Sequence, residues 1–368
     1  MSTTPAQHPA SSNVTTLVAA TANVLNLANP GRMFYANQDV YSQRDFERKI
    51  DWLGGRIAAL NADILAVQEV WDDAALKAAV SRSGLRYAHV MVPGAENSEP
   101  HNASSGSNTA PASGGSSATP AGGAVNTPRV GIITRLDVDR IESITHFPAH
   151  MHVQVPELGE HTKFERPPLL VSLRMKHGQS IHVLTAHLKS KRPKFLQDAQ
   201  GHPSEDRDDP NIQTRATLRS LMIRGAEAAA LRGVVIDVLK RTHEPLIVMG
   251  DFNDGPHSVT TQMIAATNEV AYNKAARDTA LFNAYEEQGE MALKKDVAYS
   301  HVHQGFPEVL DQILVSEEFL PHSRFSIGDV RRVDYFNDHL QEGKDGARSD
   351  HGFVRAVIRV RLPSEPTN

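Results

Sequence analysis

The sequence predicts an α/β fold in which strands and helices mix without strict alternation around one core. Three observations carry this. Short apolar runs of strand length end in polar residues, as in Ile64-Leu65-Ala66-Val67 before Gln68-Glu69 and Leu246-Ile247-Val248-Met249 before Gly250-Asp251. Other stretches show the three- and four-residue spacing of helices. The 368 residues are 40% hydrophobic and 22% charged, an ordinary soluble composition that can bury a large core without staples.

The elements follow in order. Residues 1 to 14 are polar and read as an N-terminal tail. The run 17–25 reads as a strand. Phe46, Ile50, Leu53, Ile57 and Leu60 mark a helix that Asn61-Ala62-Asp63 ends, and 64–67 reads as a buried strand. Residues 94–128 are almost all Gly, Ser, Ala, Asn, Thr and Pro, a composition expected of a flexible surface insertion rather than of a core. A linker between two domains is the alternative; an insertion is preferred because the motifs on its two sides complete one site. Strands are expected at 130–134, 169–175 and 181–186. A long helix is expected over 212–241, with Leu218, Leu221, Met222, Ala229, Val235 and Val238 near one face. Strands are then expected at 246–249, 309–315 and 353–360. The organisation expected is one domain over 15–362, with a short C-terminal tail at 363–368.

Composition limits the chemistry. There is no cysteine, which excludes disulfides, thiolate metal sites and a cysteine nucleophile. A metal site must draw on Asp, Glu, Asn and His, and oxygen-rich sites favour hard ions such as Mg²⁺, Mn²⁺ or Ca²⁺. The net charge of −5 writes no general attraction for nucleic acid into the total, though a local basic groove stays open. The first residues lack the pattern of a signal peptide, and no stretch approaches the roughly 18 apolar residues of a membrane span. A soluble, cytoplasmic protein without membrane insertion is the expectation. The oligomeric state is not written in the sequence.

Four segments share one design, an apolar strand joined to polar groups. They are 64–69, 184–190, 246–254 and the run Ser349-Asp350-His351-Gly352 that precedes the last strand. Sheet ends are where α/β folds hold ligands, because the sheet fixes side chains that the following loop leaves exposed. These ends supply the carboxylates Glu69, Asp251 and Asp350, the amides Asn23 and Asn253, and the imidazoles His187 and His351. Carboxylate and amide oxygens suit Mg²⁺; imidazoles beside them suit charge stabilisation on a phosphate and proton management. Neither a phosphate-binding glycine loop nor a Ser–His–Asp signature is present. Metal-assisted attack by water is therefore the natural chemistry. Taken singly, each segment has an ordinary reading as a solvated strand end, a sheet-edge histidine or an Asx turn; their joint occurrence in order points to a site.

The ordered set Asn23, Gln68-Glu69, His187-Leu188, Gly250-Asp251-Phe252-Asn253, Asp311 and Ser349-Asp350-His351 resembles the endonuclease/exonuclease/phosphatase superfamily. That superfamily includes deoxyribonuclease I, the apurinic endonucleases, inositol polyphosphate 5-phosphatases and neutral sphingomyelinases. The resemblance runs from about Thr16 to Val360. It is closer to a bacterial subgroup of unassigned substrate, through Asn23-Val24-Leu25-Asn26-Leu27, Tyr41…Lys49…Trp52, Phe164-x-Arg166-Pro167-Pro168 and His187-Leu188-Lys189-Ser190-Lys191. The resemblance implies a four-layer α/β sandwich, two packed mixed sheets flanked by helices. It implies Glu69 as principal metal ligand with Asn23 and Asp350 near the metal, and Asp251 as the residue that orients or deprotonates water. It also implies Asn253 as the partner of Asp251 at the phosphate, His351 as a phosphate contact paired with Asp311, and His187 as a second phosphate contact. Many relatives carry His where Gln312 stands here; the aspartate beside it remains.

Other residues are secondary candidates. Arg166 is a substrate clamp or a surface arginine in a rigid loop. Lys189, with Lys191, Arg192 and Lys194, forms the best local basic patch and is a candidate substrate contact or a solvated loop. His146, His150, His152 and His161 read as loop histidines, while His301 and His303 share one face of a strand. The expected activity is a metal-dependent phosphodiesterase, with a phosphoester substrate and nucleic acid as the leading one. A phosphatase or phosphodiesterase for a small metabolite or lipid headgroup is the runner-up. A silent binding protein on the same scaffold is the reading from another class.

Overall fold

The computed structural model describes residues 14–33, 39–94, 127–198, 202, 204–289, 297–343 and 345–362. Nearly all of the two expected tails and of the expected insertion lie outside the described residues. The first half of the chain forms β1 (Val14–Leu27), α1 (Gln43–Leu60), β2 (Ile64–Val70), α2 (Asp73–Arg82), β3 (His89–Met91) and β4 (Arg129–Thr134). It continues through β5 (Asp137–Ser143), β6 (Val153–Val155), β7 (Gly159–His161), β8 (Leu169–Arg174) and β9 (Ser180–His187). The second half forms α3 (Pro210–Leu239), β10 (Leu246–Asp251), α4 (Val259–Ala265), α5 (Thr267–Val270) and β11 (Phe282–Asn283). Then come β12 (His301–His303), β13 (Phe306–Glu308), β14 (Asp311–Val315), β15 (Gly328–Phe336) and β16 (Phe353–Arg361).

Two six-stranded mixed sheets result, in the orders β15-β16-β1-β2-β4-β3 and β11-β14-β10-β9-β8-β5. Each joins one central parallel pair to antiparallel neighbours on both sides. β1 runs parallel to β2 and antiparallel to β16; β10 runs parallel to β9 and antiparallel to β14. Side chains alternate along a strand, so residues two apart share a face. On β1, Leu17 and Ala19 join the core between the sheets, while Ala20, Ala22 and Val24 pack under α1 and α2. On β9 and β10, Ile181, Val183, Ile247 and Met249 face the other sheet, while Leu184, Ala186, Leu246 and Val248 pack under α3 and α4. Three apolar layers thus separate four layers of secondary structure, as the resemblance implied.

Local chemistry sets the boundaries. Ser42 caps α1 by accepting from Asp45 N at 3.1 Å, and Asn61 ends it in the left-handed conformation (φ 42°), where the sequence ended the helix. Asp209 caps α3 ahead of Pro210. The face expected of α3 differs in part. Leu218 and Leu221 are about half exposed, at 49% and 48%, because the first half of α3 packs on a polar loop through Arg219, Ser220, Arg224 and Glu227 instead. The strand β15 and the charged edge strand β5 carry too little apolar alternation to stand out in the sequence.

Candidate functional site

The site grows from the core by continuation of its own alternation. The inward-facing positions of β1 run Leu17, Ala19, Thr21, Asn23. Those of β9 run Ile181, Val183, Thr185, His187; those of β10 run Ile247, Met249, Asp251; those of β14 run back from Val315 and Ile313 to Asp311. Apolar residues fill the centre of the gap between the sheets, and polar ones end it. Just beneath the end, Gln68 joins the two sheets, accepting from Thr21 Oγ1 at 3.2 Å and donating to Thr185 Oγ1 at 3.4 Å.

Glu69 breaks this alternation. Strict period two would send it to the helix side with Leu65 and Val67. Its φ of 63°, uncommon for a residue with a β-carbon, turns it back. The register opens at the same point: Asn23 pairs with Gln68 and Leu27 with Val70, with Leu25 and Asn26 at positive φ between. Asn23 Nδ2 then donates to Glu69 Oε1 at 3.2 Å and Asn26 N to Glu69 Oε2 at 3.1 Å.

Asp251 is the focus. Its Oδ2 accepts from Asn23 Nδ2 at 3.1 Å and lies 3.4 Å from His187 Nε2 and 3.9 Å from His351 Nε2. Its Oδ1 accepts from Asn253 N at 2.8 Å, and Asn253 Nδ2 donates to Leu188 O at 2.9 Å. Gly250 is needed for this approach: at its φ of 151° a β-carbon would lie 1.9 Å from Ala186 O. Burial pushes the Asp251 carboxyl up to about 6, against the lowering influence of His351.

His351 Nδ1 lies 2.7 Å from Asp311 Oδ2, both buried. Burial alone would lower the His351 pKa, but Asp311 and Asp251 reverse this and hold the imidazole well above its usual value, in the cationic form. His187 goes the other way. Burial, with Arg166 and His351 nearby, holds it well below the usual value, so it stays neutral. One imidazole is thus charged and its neighbour is not. The Ser300 hydroxyl accepts from Leu310 N and Asp311 N, Ser349 Oγ donates to Asn23 O at 2.6 Å, and His339 Nε2 meets His351 O at 2.9 Å.

The sequence candidates thus gather with two qualifications. Asp350 is exposed beside His351, with no hydrogen bond of its own among those found in the described residues, while its charge acts on His351, Lys49 and His301. Arg166 and Lys189 are both engaged by backbone carbonyls of the loop after β9. Arg166 donates from Nε to His187 O at 3.1 Å and from Nη2 to Leu188 O at 2.6 Å. Lys189 Nζ turns to Ser190 O, Ser190 Oγ and Arg192 O at 3.3 to 3.4 Å. Both brace the loop that carries His187.

That loop rests on residues the sequence did not single out. Glu227 of α3 is fully buried and accepts from Glu165 N at 2.9 Å and Lys189 N at 2.6 Å. Arg224 reaches Asp254 and Lys189 O, and Ser220 donates to Ser190 O at 2.7 Å. Lys49, noted only as part of the resemblance, is fully buried, with its Nζ over the Tyr41 ring at 5.7 Å and without a hydrogen-bond partner among the described residues; burial pushes it down to about 8 against the raising influence of Glu69 and Asp350.

The donor set fits a hard divalent cation. The oxygens of Glu69 and Asp251 share Asn23, Asp311 Oδ1 is buried without a hydrogen-bond partner, and Asp350 stands at the mouth. Asp251, Asp311 and His351 offer ligand atoms within 4.8 Å of one another. A cation between Asp311 and His351, however, would have to displace the proton they share and face a cationic imidazole. The Glu69 side carries neither cost.

A family model described as the Endonuclease/Exonuclease/phosphatase family matches residues 20–351. Among solved structures, an endonuclease/exonuclease/phosphatase family protein from Bacteroides thetaiotaomicron is 14% identical at a TM-score of 0.54, covering 97% of this chain and 100% of its own. A mannosyl-6-phosphatase from the same organism is 14% identical at 0.51, covering 93% and 99%. The human nocturnin catalytic domain with bound sulfate is 17% identical at 0.51, covering 93% and 94%. At such identities the likeness concerns the fold. No curated protein gives a significant sequence match.

Proposed function

We propose, from the premise that this chain belongs to the endonuclease/exonuclease/phosphatase family, that it is a divalent-metal-dependent phosphodiesterase that hydrolyses P–O bonds by attack of water, with nucleic acid as its leading substrate. The observation that carries this reading is the ring around Asp251. One buried carboxylate oxygen is approached by an amide, a neutral imidazole and the Nε2 of a cationic imidazole.

Each group has a task that its environment supports. Glu69, held by Asn23 and Asn26, with Asp350 at the mouth, would hold Mg²⁺ or Mn²⁺. The bound ion would supply Lewis-acid charge neutralisation at the phosphoryl oxygens. Asp251 accepts a proton from water; its Oδ1 is fixed by Asn253, and burial makes it a better base than a solvated aspartate. His351, cationic and oriented by Asp311, donates to an oxygen on which negative charge grows. His187, neutral, donates from Nε2 and orients either Asp251 or a phosphoryl oxygen. The acidic total charge leaves the small-substrate reading as runner-up, and the relative described as a mannosyl-6-phosphatase keeps it in view.

The test is a panel of plasmid DNA, RNA, bis-p-nitrophenyl phosphate and a phosphomonoester with Mg²⁺ or Mn²⁺, using wild type and Glu69→Gln. Diester hydrolysis that requires metal, with weaker metal binding by calorimetry in the variant, is expected. Turnover of the monoester alone would favour the small-substrate reading. Unchanged metal affinity in Glu69→Gln would remove Glu69 from the metal site.

A further inference from the structure

The hairpin β12–β13 is too short to need a role in the core, yet it is anchored at the reacting centre. Its turn, Gln304-Gly305, has positive φ at both residues (50° and 86°), the two-residue geometry that matches strand twist. His301 pairs with Glu308 and His303 with Phe306. Directly opposite residues share a face, and residues two apart on one strand share it too. One face therefore carries His301, His303, Phe306 and Glu308, and Val302 and Pro307 take the other.

The first of these faces turns to the site. His301 forms a backbone bridge with His351, and the two rings lie 5.0 Å apart. The same Ser300 that supports Asp311 accepts from Gly352 N at 2.7 Å, so hairpin and dyad are one rigid unit. From His301 the rings step outward. His303 stacks on it at 6.4 Å and 21°, and Phe306 follows across the strand pair, 73% exposed. A lone exposed phenylalanine is ordinary. Here it ends a line of rings that begins at a buried, cationic histidine. Lys191 bonds Glu308 at 2.6 Å, which ties the loop bearing exposed Lys191 and Arg192 to the same hairpin.

We propose that this hairpin face is a stacking platform for the unpaired bases of a nucleic-acid strand whose scissile phosphate lies at His351. The proposal rests on the phosphodiesterase reading above and names its substrate class, a strand of unstacked nucleotides. Every base offers a flat face to an aromatic ring, and flanking cations suit the phosphates between bases. A duplex keeps its bases stacked on one another and gains nothing from the platform. A phosphomonoester of a small metabolite does not reach it.

Fluorescence anisotropy of the full chain in chelator tests this. The probes are oligomers of about eight nucleotides of thymidine or uridine, the same lengths with abasic residues, and a duplex. Abasic strands should bind about tenfold more weakly, the scale of one stacked base. Phe306→Leu keeps apolar area without a ring; it should weaken the base-bearing strand several-fold, toward the abasic level, and leave the abasic strand unchanged. Phe306→Trp should keep the preference. Equal affinity for base-bearing and abasic strands, an equal loss on both in Phe306→Leu, or tighter binding of the duplex would each overturn the platform. Comparison of thymidine with uridine strands identifies which kind of strand is preferred. Metal-supported hydrolysis of bis-p-nitrophenyl phosphate, which carries no base, reports on the reaction separately. A base preference without that hydrolysis counts against the reaction; hydrolysis without the preference counts against the platform.

Discussion

Asp251 Oδ2 and His351 Nε2 lie 3.9 Å apart, and the two groups carry opposite tendencies. Burial raises the carboxyl, and two carboxylates raise the imidazole. Each stabilises the ionised form of the other, an arrangement suited to one group that takes a proton and another that donates a hydrogen bond. Asp251→Asn and His351→Ala should each lower turnover on the best diester by at least ~10²-fold, the usual scale for loss of a base or a charge-stabilising donor. They should differ in kind. Asp251→Asn should remove the acidic limb of the pH–rate profile, and His351→Ala should hurt substrates with poor leaving groups at least as much as activated ones. Wild-type turnover in either variant would dismiss the site. At this scale much was legible. Asn23, His187, Asp251 and Asp311 extend the inward alternation of four strands, and the sequence shows apolar runs that end in polar groups. Glu69 was legible as a strand-end carboxylate, but its direction was not, because a left-handed φ and a local register change set it. Glu227 gave no signal, being one glutamate in a long helix whose apolar pattern was already diffuse.

The loop after β9 shows how an element can be held by its carbonyls. His187 O and Leu188 O accept from Arg166, Leu188 O also from Asn253, Lys189 O from Arg224 and Ser190 O from Ser220. Glu227 closes the set by accepting both Glu165 N and Lys189 N, which locks the Arg166 segment to the His187 segment. Glutamine at this position has one acceptor oxygen and would turn its amide nitrogen toward an N–H. Glu227→Gln should therefore destabilise the protein by about 1–3 kcal/mol, the cost of an unsatisfied buried group. It should also reduce turnover through misplacement of His187. Urea unfolding and diester kinetics measure both, and an unchanged midpoint would show that the lock carries little energy. The sequence indicated the helix and the strand separately. It did not indicate that the first half of α3 is a polar support, since a basic loop and a charged helix each look solvated when read alone.

At the scale of the molecule, the two sheets are tied across the site by Gln68, by the Asn23–Asp251 hydrogen bond and by the His351–Asp311 pair. β3 and β4 pair antiparallel, with Met91 opposite Ile132, and the expected insertion joins them. Its two ends therefore leave neighbouring strands, and a short connection can replace it at little entropic cost. Deletion of residues 97–126 should leave a cooperatively melting enzyme; loss of a cooperative transition would show that the segment belongs to the fold. The architecture itself was legible through resemblance, whereas periodicity alone reached only a mixed α/β core. The pH dependence of stability belongs to the whole molecule as well. Burial is the chief cause that lowers the pKa of His161, His187, His301 and His339. Each is held neutral in the fold, and each takes up a proton on unfolding below its ordinary value of about 6.5. Their contribution is therefore present above about pH 6.5 and is lost as pH falls through their folded values. Asp251 and Glu227, pushed up to about 6 and about 7 by burial, act in the opposite direction, with stability lost as pH rises through those values. The informative quantity is thus a difference in slope. His339 packs edge-on against Trp52 at 4.9 Å and meets the His351 carbonyl. His339→Gln keeps a donor but cannot titrate. The variant should melt lower than wild type at pH 7.5, through lost ring packing, and the gap should narrow toward pH 5 as wild type alone loses the contribution of a neutral His339. A gap that stays constant across this range would show that His339 binds protons equally in the folded and unfolded chain.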